Sequence, residues 1–428
     1  MMKKNKSKII LLVIVSIVSL FSIISYNSKK YSNSININDS KIKNNNMLSM
    51  MLETSAGSGE YQESTASSWP TEGYIFNENI SKCERGSKLT WDDSKKAVIM
   101  SGNEGDKCYV YFDVYIPPRY DEICDESLLA CHVAKQYTGT QGDNNMYYHD
   151  SKLTNGAGDN SYRYAGPSET TNNFVCFGYD STDGSCPNDN LYRIIGVFGD
   201  EVKLIKYDYA KSTLLGTDGD YVKIYNSSGT NKGQNSKTEI GAYHWNYSNG
   251  SSSTNDWSLS RLNTVNLNKN YLNKIDENGT KWSEKISDHT WKVGGNTYNN
   301  ISEQTAPNAY QNEINSPATN KTVNAKVGLM YVSDYGYAAS SSSWSTALNG
   351  YNNTNVTANN WMYMGLYEWT LAPRTDDSYR AFDVHDGGGV NYNNVNTFAL
   401  GVRPVLYLKS TIGYGGGSGT AAKPILVN

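Results

Sequence analysis

The chain has 428 residues, of which 12% are aromatic and 19% charged, and its formal net charge is −4 at pH 7. The length allows about two or three domains, and the aromatic content excludes a disordered chain. No basic block occurs beyond the N-terminus, so the charge predicts no nucleic-acid partner.

The N-terminus has the pattern of an export signal. A lysine-rich start precedes an uncharged apolar run from Ile9 to Ile24, as in secretion signals and signal anchors. No small-residue cleavage site directly follows the run. We therefore predict an uncleaved membrane anchor over residues 1–26, with a cleaved signal as the alternative. More lysines precede the run than closely follow it, so the rest of the chain is expected outside the membrane.

A polar segment and a small β module are predicted next. Residues 27–68 are rich in Asn, Ser and Lys and predict a flexible stalk. Residues 69–137 predict a small β module followed by a helix. Its strands are predicted at Lys88–Trp91, Lys96–Met100 and Lys107–Ile116. The helix is predicted to place Ile123, Leu128, Leu129 and Val133 on one face. A polar linker is predicted over residues 138–160.

The cysteines fit an exported protein. An even number of cysteines in a chain that leaves the cytoplasm predicts disulfides. The sequence alone cannot choose their pairing, and we expect sequence neighbours to pair. The predicted bonds are Cys83–Cys108, Cys124–Cys131 and Cys176–Cys186. A zinc site is disfavoured because the chain has no CxxC pair and His132 is the only histidine nearby.

Residues 161–428 predict one α+β domain with short helices and a mixed or antiparallel sheet. Two apolar strands flank Gly199 and Asp200, which is a hairpin signal. Residues 256–275 place apolar side chains at helical spacing, and residues 322–338 are predicted as strand.

Several residues of the C-terminal part are predicted to be structural. Arg403 lies between apolar strand residues, which predicts a buried charge with a carboxylate partner. Trp361 and Trp369 are predicted in the core. Glu368, which has apolar neighbours, predicts a buried hydrogen bond rather than a catalytic group.

The hairpin "RAFDVHDGGGVNYNN" is the candidate binding site. Phe382 and Val384 are predicted to face the core, which leaves Asp383 and His385 on the opposite face. Tyrosine with Asn and Gly is the chemistry of binding loops. We expect an exposed ligand-binding face formed by Asp383, His385, Asn391, Tyr392, Asn393, Asn394 and Asn396. The alternative is solvated filler, since Asn is abundant throughout the chain.

No cofactor is expected at this hairpin. Calcium stays open as an alternative, because Asp383, Asp386 and the Asn side chains could supply oxygen ligands. No complete calcium-ligand spacing is present, however.

Four blocks carry a family resemblance: "NDNLYRIIGVFGDEVKLIKYDYA", "LNKNYLNKI", "VGLMYVSDYGYA" and "WMYMGLYEWTLAP" with the following "GVRPVLYL". Together they make Ser161–Leu408 resemble an uncharacterised bacterial surface-protein domain. That domain in turn resembles the C-type-lectin-like fold of formylglycine-generating enzymes and of retroelement-diversified receptors. The resemblance implies this fold and a variable, exposed binding face. It does not extend to copper-dependent oxidation, because no cysteine follows Cys186.

The predicted function is a membrane-anchored extracellular protein that binds a protein or a glycan through its C-terminal domain. One alternative is an extracellular enzyme acting on carbohydrate or peptide, for which the sequence offers no acid pair, nucleophile elbow or zinc signature. The other alternative is a structural envelope protein without a discrete ligand.

Overall fold

The structure, a computed structural model, describes residues 33–34, 47–102, 105–181, 184–223, 225–247 and 254–428. These residues form an α+β protein with several sheets and short helices, divided into one unit up to Pro118 and a second unit from Arg119 to Asn428. The predicted anchor at Ile9–Ile24 lies outside the described residues. Within the described ranges, no helix has the length and apolar character needed to cross a membrane.

The first unit is built of β-strands in two sheets, one of three strands and one of five. Its strands are β1 (Asn33–Ser34), β2 (Met47–Glu53), β3 (Tyr61–Ser64), β4 (Tyr74–Phe76), β5 (Lys82–Cys83), β6 (Lys88–Asp92), β7 (Ala97–Ser101) and β8 (Lys107–Val114). Strand β8 pairs in parallel with β2 and antiparallel with β4 and β5. The strands predicted at β6, β7 and β8 are confirmed within two residues at each end.

The predicted stalk is wrong over its second half. The segment "MLSMMLE" forms β2, and β2 runs beside β8 from Met47 opposite Lys107 to Leu52 opposite Phe112. Met50 is buried in the core of this unit, and the Glu53 carboxylate accepts the backbone N–H groups of Gly59 and Val114, both at 2.9 Å. Strand β2 also pairs antiparallel with β3, so its two partners are its neighbour in sequence and the distant β8.

The predicted disulfides are confirmed: Cys83–Cys108, Cys124–Cys131 and Cys176–Cys186 are all bonded. The first joins β5 to β8 within the first unit. The other two lie in the second unit, so the predicted helix after the β module belongs with the large unit rather than with the module. Disulfides of this kind stabilise mainly by restricting the unfolded chain.

The second unit contains the remaining elements. Its strands are β9 (Met146–Tyr148), β10 (Tyr162–Tyr164), β11 (Phe174–Cys176), β12 (Leu191–Phe198), β13 (Glu201–Lys206), β14 (Tyr221–Val222), β15 (Ala242–Tyr243), β16 (His289–Lys292), β17 (Thr322–Ala325), β18 (Val327–Gly328), β19 (Glu368–Pro373), β20 (Arg380–Val384), β21 (Val390–Asn394) and β22 (Val405–Leu408). Its α-helices are α1 (Tyr120–Ile123), α2 (Leu129–Ala134), α3 (Ser212–Leu215), α4 (Leu272–Ile275), α5 (Tyr298–Ile301), α6 (Ala306–Tyr310), α7 (Val332–Ala338) and α8 (Thr354–Ala358). Two π-helical segments span Leu262–Tyr271 and Gln311–Asn315. Short 3₁₀ turns lie at Asp143–Asn145, Asn188–Asn190, Trp257–Leu259, Glu277–Gly279, Trp282–Lys285, Ser341–Ser343 and Leu348–Asn352.

An antiparallel sheet forms the centre of the second unit. Its strand order is β18-β22-β13-β12-β10-β9, and β11 also pairs with β12. The predicted hairpin is confirmed, because β12 and β13 are joined by Gly199 and Asp200 and Gly199 has a φ of 64°. A positive φ at this turn is one that glycine adopts at no steric cost. The helix predicted over residues 256–275 is also present, largely as a π-helix.

Three sequence predictions fail in this unit. The linker over residues 138–160 is structured: β9 pairs with β10, and His149 is fully buried. The single helix around Ile123 is two short helices, and Ile123 is 67% exposed. The end of the segment predicted as strand over residues 322–338 is α7, because the Asp334 carboxylate accepts the Tyr331 backbone N–H at 2.9 Å and caps a helix.

A buried ion pair joins β19 to the chain just before β22. Arg403 donates from Nε to Glu368 Oε1 at 2.7 Å and from Nη2 to Glu368 Oε2 at 2.9 Å. Nη2 also donates to the Met362 carbonyl at 2.7 Å, and both charged side chains are at most 3% exposed. The prediction of a carboxylate partner for Arg403 and of a buried hydrogen bond for Glu368 is confirmed. Trp361 and Trp369 are core residues, as predicted.

Replacing Glu368 by Gln is expected to lower the free energy of unfolding by about 3–5 kcal/mol, because it leaves the buried Arg403 guanidinium without a counter-charge. Urea denaturation of the purified protein measures this loss. The control is Glu303→Gln at an exposed position, which is expected to change the stability by no more than about 0.5 kcal/mol. Equal stability of Glu368→Gln and wild type would contradict a stabilising role for the pair.

Candidate functional site

The predicted binding hairpin forms the edge of a three-stranded antiparallel sheet, β19-β20-β21. Phe382 lies opposite Tyr392, and Asp383 lies opposite Asn391. Because side chains alternate along a strand, these two pairs project from opposite faces of the sheet. The hairpin therefore has two distinct surfaces.

The first surface, called the His385 face, consists of Asp383, His385, Asn391 and Asn393. The Asn393 amide donates to Asp383 Oδ2, and His385 Nε2 lies 3.3 Å from Asp383 Oδ1. The Tyr367 ring packs on the His385 ring with centroids 4.6 Å apart. Asp383 is fully buried, whereas the other three side chains are partly exposed.

Burial and nearby charges shift the pKa values of Asp383 and His385. Burial raises the pKa of Asp383, although His385 and Asn393 oppose that shift. Burial alone would lower the pKa of His385, but the carboxylates of Asp383 and Asp386 outweigh it, so the pKa of His385 is raised. A protonated imidazole therefore lies over a buried carboxyl group in the folded protein at mildly acidic pH.

The turn of the hairpin is held in place on both sides. The Asp386 carboxylate accepts the Gly229 N–H at 2.9 Å and the hydroxyls of Ser227 and Ser228 at 3.3 and 3.1 Å. The Tyr335 hydroxyl donates to the Gly388 carbonyl at 2.7 Å. Gly388 has a φ of 97°, and a Cβ there would lie 2.4 Å from a Thr357 methyl group, so only glycine fits.

The second surface, called the Tyr392 face, is a stack of cations and aromatic rings. The Arg374 guanidinium lies 3.9 Å from the centroid of the Tyr392 ring, and that of Arg380 lies 4.7 Å from it. Tyr298 meets Tyr392 edge to face at 5.2 Å. Asn394 accepts from Arg380 Nε at 3.1 Å. Both arginines are also paired with carboxylates outside this face, Arg374 with Asp376 and Arg380 with Asp377.

The structure therefore divides the predicted site. Asp383, His385, Asn391 and Asn393 share one face, as the alternation predicted for the first two. Tyr392 and Asn394 lie on the other face, and Asn396 follows β21 with its side chain accepting from Thr397 at 3.2 Å. The expectation that Asp383 is exposed is wrong: its side chain is fully buried, and its carboxylate is in contact with the side chains of Asn393 and His385 on the same face.

The sequence analysis missed Tyr367, Ser227 and Ser228. The serine pair is followed by Gly229, a turn pattern that could mark a loop. Nothing in the sequence, however, indicates that this loop contacts Asp386 some distance along the chain. Among the described residues, the one group of three side chains placed to share a metal ion is Cys83, Asp106 and Cys108, and its cysteines are bonded to each other.

Comparisons with known proteins assign no function to this arrangement. No family model, curated protein or solved structure matches the chain. The chemistry of the His385 face must therefore be judged from its geometry. It offers amide, imidazole and phenol groups on a fixed backbone, which suits recognition of a polar ligand.

Because its pKa is raised, His385 is expected to stabilise the fold more at acidic than at alkaline pH. A folded-state pKa above the unfolded value, about 6.5, means that His385 contributes stability that is fully present below that pH and is lost as the pH rises through the folded-state pKa. The loss of stability caused by His385→Asn is therefore expected to be larger at about pH 5.5 than at about pH 8.5. Chemical denaturation of wild type and variant at both pH values measures this difference.

His289 provides a control, because its pKa is shifted in the opposite direction to that of His385. Burial and then Lys203 lower the pKa of His289 to about 4. The unfolded chain then binds a proton below about pH 6.5 that the folded chain does not, so wild-type His289 loses stability as the pH falls. The cost of His289→Asn is expected to shrink at acidic pH, whereas that of His385→Asn grows. The same trend in both variants would contradict the assigned shift of His385.

Proposed function

We propose that the protein is a membrane-anchored extracellular binding protein that recognises a protein or glycan through its second unit. Three disulfides support an oxidising location. The lysine-flanked apolar run at the N-terminus supports retention at the membrane.

The observation that carries the binding proposal is the rigid support beneath the His385 face. Asn393 bonds to the buried Asp383, and the turn is fixed by Asp386 and by the carbonyl of Gly388. Side chains on a fixed backbone lose little conformational entropy when a ligand binds, which favours affinity. Asn391, His385 and Tyr367 remain partly exposed on this support, and they are the residues proposed to contact the ligand.

The resemblance to C-type-lectin-like domains is consistent with this proposal, since those domains serve as scaffolds for variable binding loops. We propose that fold for Ser161–Leu408. Two alternatives have different observable outcomes. An extracellular hydrolase would turn over a substrate, whereas a structural envelope protein would show no saturable binding.

Asn391→Ala is expected to weaken ligand binding by about 0.5–1.5 kcal/mol, the usual net contribution of one hydrogen bond. The matched control is Asn394→Ala, which lies three positions along the same strand and on the Tyr392 face. The purified ectodomain is screened on arrays of bacterial and host glycans and surface proteins, and the hits are titrated with both variants.

The binding proposal requires loss of affinity in Asn391→Ala alone, with both variants still folded by circular dichroism. Equal effects of the two variants, or no saturable hit on any array, would contradict it. Hydrolysis of an arrayed glycan or peptide would favour the enzyme instead.

Protease treatment of intact cells tests the proposed topology. We expect a large fragment containing the second unit to be released, because the residues after the apolar run are proposed to lie outside. Immunoblotting of the supernatant measures the fragment, and a cytoplasmic protein serves as the control for lysis. A fully protected chain, or a chain free in the medium before treatment, would contradict anchoring.

A further inference from the structure

A separate cleft lies at the open end of the β12–β13 hairpin, away from the Gly199 turn. Its volume is about 150 Å³, well below the roughly 300–1,000 Å³ of sites for drug-sized ligands. Its lining includes Asp189, Asn190, Lys206, Lys211 and Ile275. One wall is the start of the loop closed by the Cys176–Cys186 disulfide. The cleft shares no residue with the His385 face.

The unusual member of this cleft is Lys206. Its side chain is 1% exposed, and its ammonium donates to the Asp189 carbonyl at 2.8 Å. In the part of the chain that the structure describes, this is the one hydrogen bond of the Lys206 ammonium, and no carboxylate lies within 4 Å of its Nζ. A buried charge without a counter-ion is costly, and an ammonium has three N–H donors to satisfy.

The surrounding charges limit what could complete the site. Lys211 lies 3.2 Å from the Asp189 carboxylate and 3.8 Å from that of Glu239. Lys274, on the opposite wall, is paired with Glu277. Lys211 and Lys274 thus have carboxylate partners, whereas Lys206 has none within 4 Å among the described residues. A ligand with one negative charge can pair with Lys206, whereas a doubly charged phosphate would be repelled more strongly by the nearby Asp189 and Glu239 carboxylates.

We propose that this cleft binds a carboxylate-bearing sugar, with the carboxylate on the Lys206 ammonium. The sugar ring packs on Ile275, and its hydroxyls meet Asp189 and Lys211, which offer an acceptor and donors at the same wall. This site is independent of the ligand proposed for the His385 face, and either can fail without the other.

Titration with D-glucuronate tests this site, with D-glucose as the neutral match and inorganic phosphate as the alternative anion. Calorimetry on the purified ectodomain measures each. We expect binding of glucuronate, none of glucose, and weaker binding of phosphate. Lys206→Met keeps the length of the side chain and removes its charge, and we expect it to weaken glucuronate binding by about tenfold or more. Lys269→Met, at an exposed position on the neighbouring helix, is the control and should bind as wild type does.

The pH dependence of the wild type gives a second readout that needs no variant. Burial lowers the pKa of Lys206 to about 8, against the opposing charges of Asp189 and Asp208 and with a small contribution from Lys211. The ammonium is lost as the pH rises through that value, so glucuronate affinity should fall between about pH 7 and pH 9. Tyr192, whose ring lies 5.4 Å from Nζ, also faces the group.

Three results would overturn the proposal: no glucuronate binding, equal affinity of wild type and Lys206→Met, or glucose or phosphate bound as tightly as glucuronate. If Lys206→Met does not fold, an affinity unchanged between about pH 7 and pH 9 would also overturn it. Failure here with intact array binding that depends on Asn391 would leave the His385 face as the binding surface.

Discussion

The ion pair between Arg403 and Glu368 fastens two sheets of the second unit to each other. Glu368 begins β19, which carries the binding hairpin, and Arg403 precedes β22, which lies between β13 and β18 in the central sheet. Arg403 also donates to the Met362 carbonyl, so its guanidinium binds β19 and the chain shortly before it. Two buried charges are costly to desolvate, and only the bidentate geometry with the additional acceptor offsets that cost. The position of the His385 face therefore depends on a contact that the face does not itself contain.

Local patterns of sequence predicted the parts of the fold that local interactions determine. The β12–β13 hairpin was predicted because its turn and both strands are adjacent in sequence. Strand β2 was missed because its neighbouring partner β3 is short and polar and its longer partner is the distant β8. Helix α7 was missed because its cap is the Asp334 side chain within a stretch rich in β-formers. Sequence patterning indicates a strand or helix, but it does not indicate which segment lies beside it.

The candidate site shows the same limit on a smaller scale. Alternation along β20 assigned Asp383 and Phe382 to opposite faces, and that assignment is correct. Alternation does not indicate whether neighbouring side chains of the same face bury a residue, and here Asp383 is as buried as Phe382. The abundant asparagines, which the sequence offers as filler or as ligands, have a third role. Asn255 donates to the carbonyls of Asp377 and Arg380 at 2.9 and 2.8 Å, and Asn268 both donates to and accepts from the backbone of Val327. Asparagine thus satisfies backbone groups that regular structure does not reach in a loop-rich unit.

The parallel pairing of β2 with β8 has a consequence for biogenesis. Because a chain is made from its N-terminus, Met47–Glu53 is present well before Lys107–Val114 is available to pair with it. Pairing strands that are far apart in sequence is slow, and an apolar strand without its partner is prone to join strands of other chains. The antiparallel hairpins of β2 with β3 and of β6 with β7 can close as soon as they are made, but the other edge of β2 must wait for β8. Folding of the first unit therefore includes an interval in which one edge of β2 is open to other chains, and this interval ends when β8 pairs with β2 and with β5, which also brings Cys83 and Cys108 together.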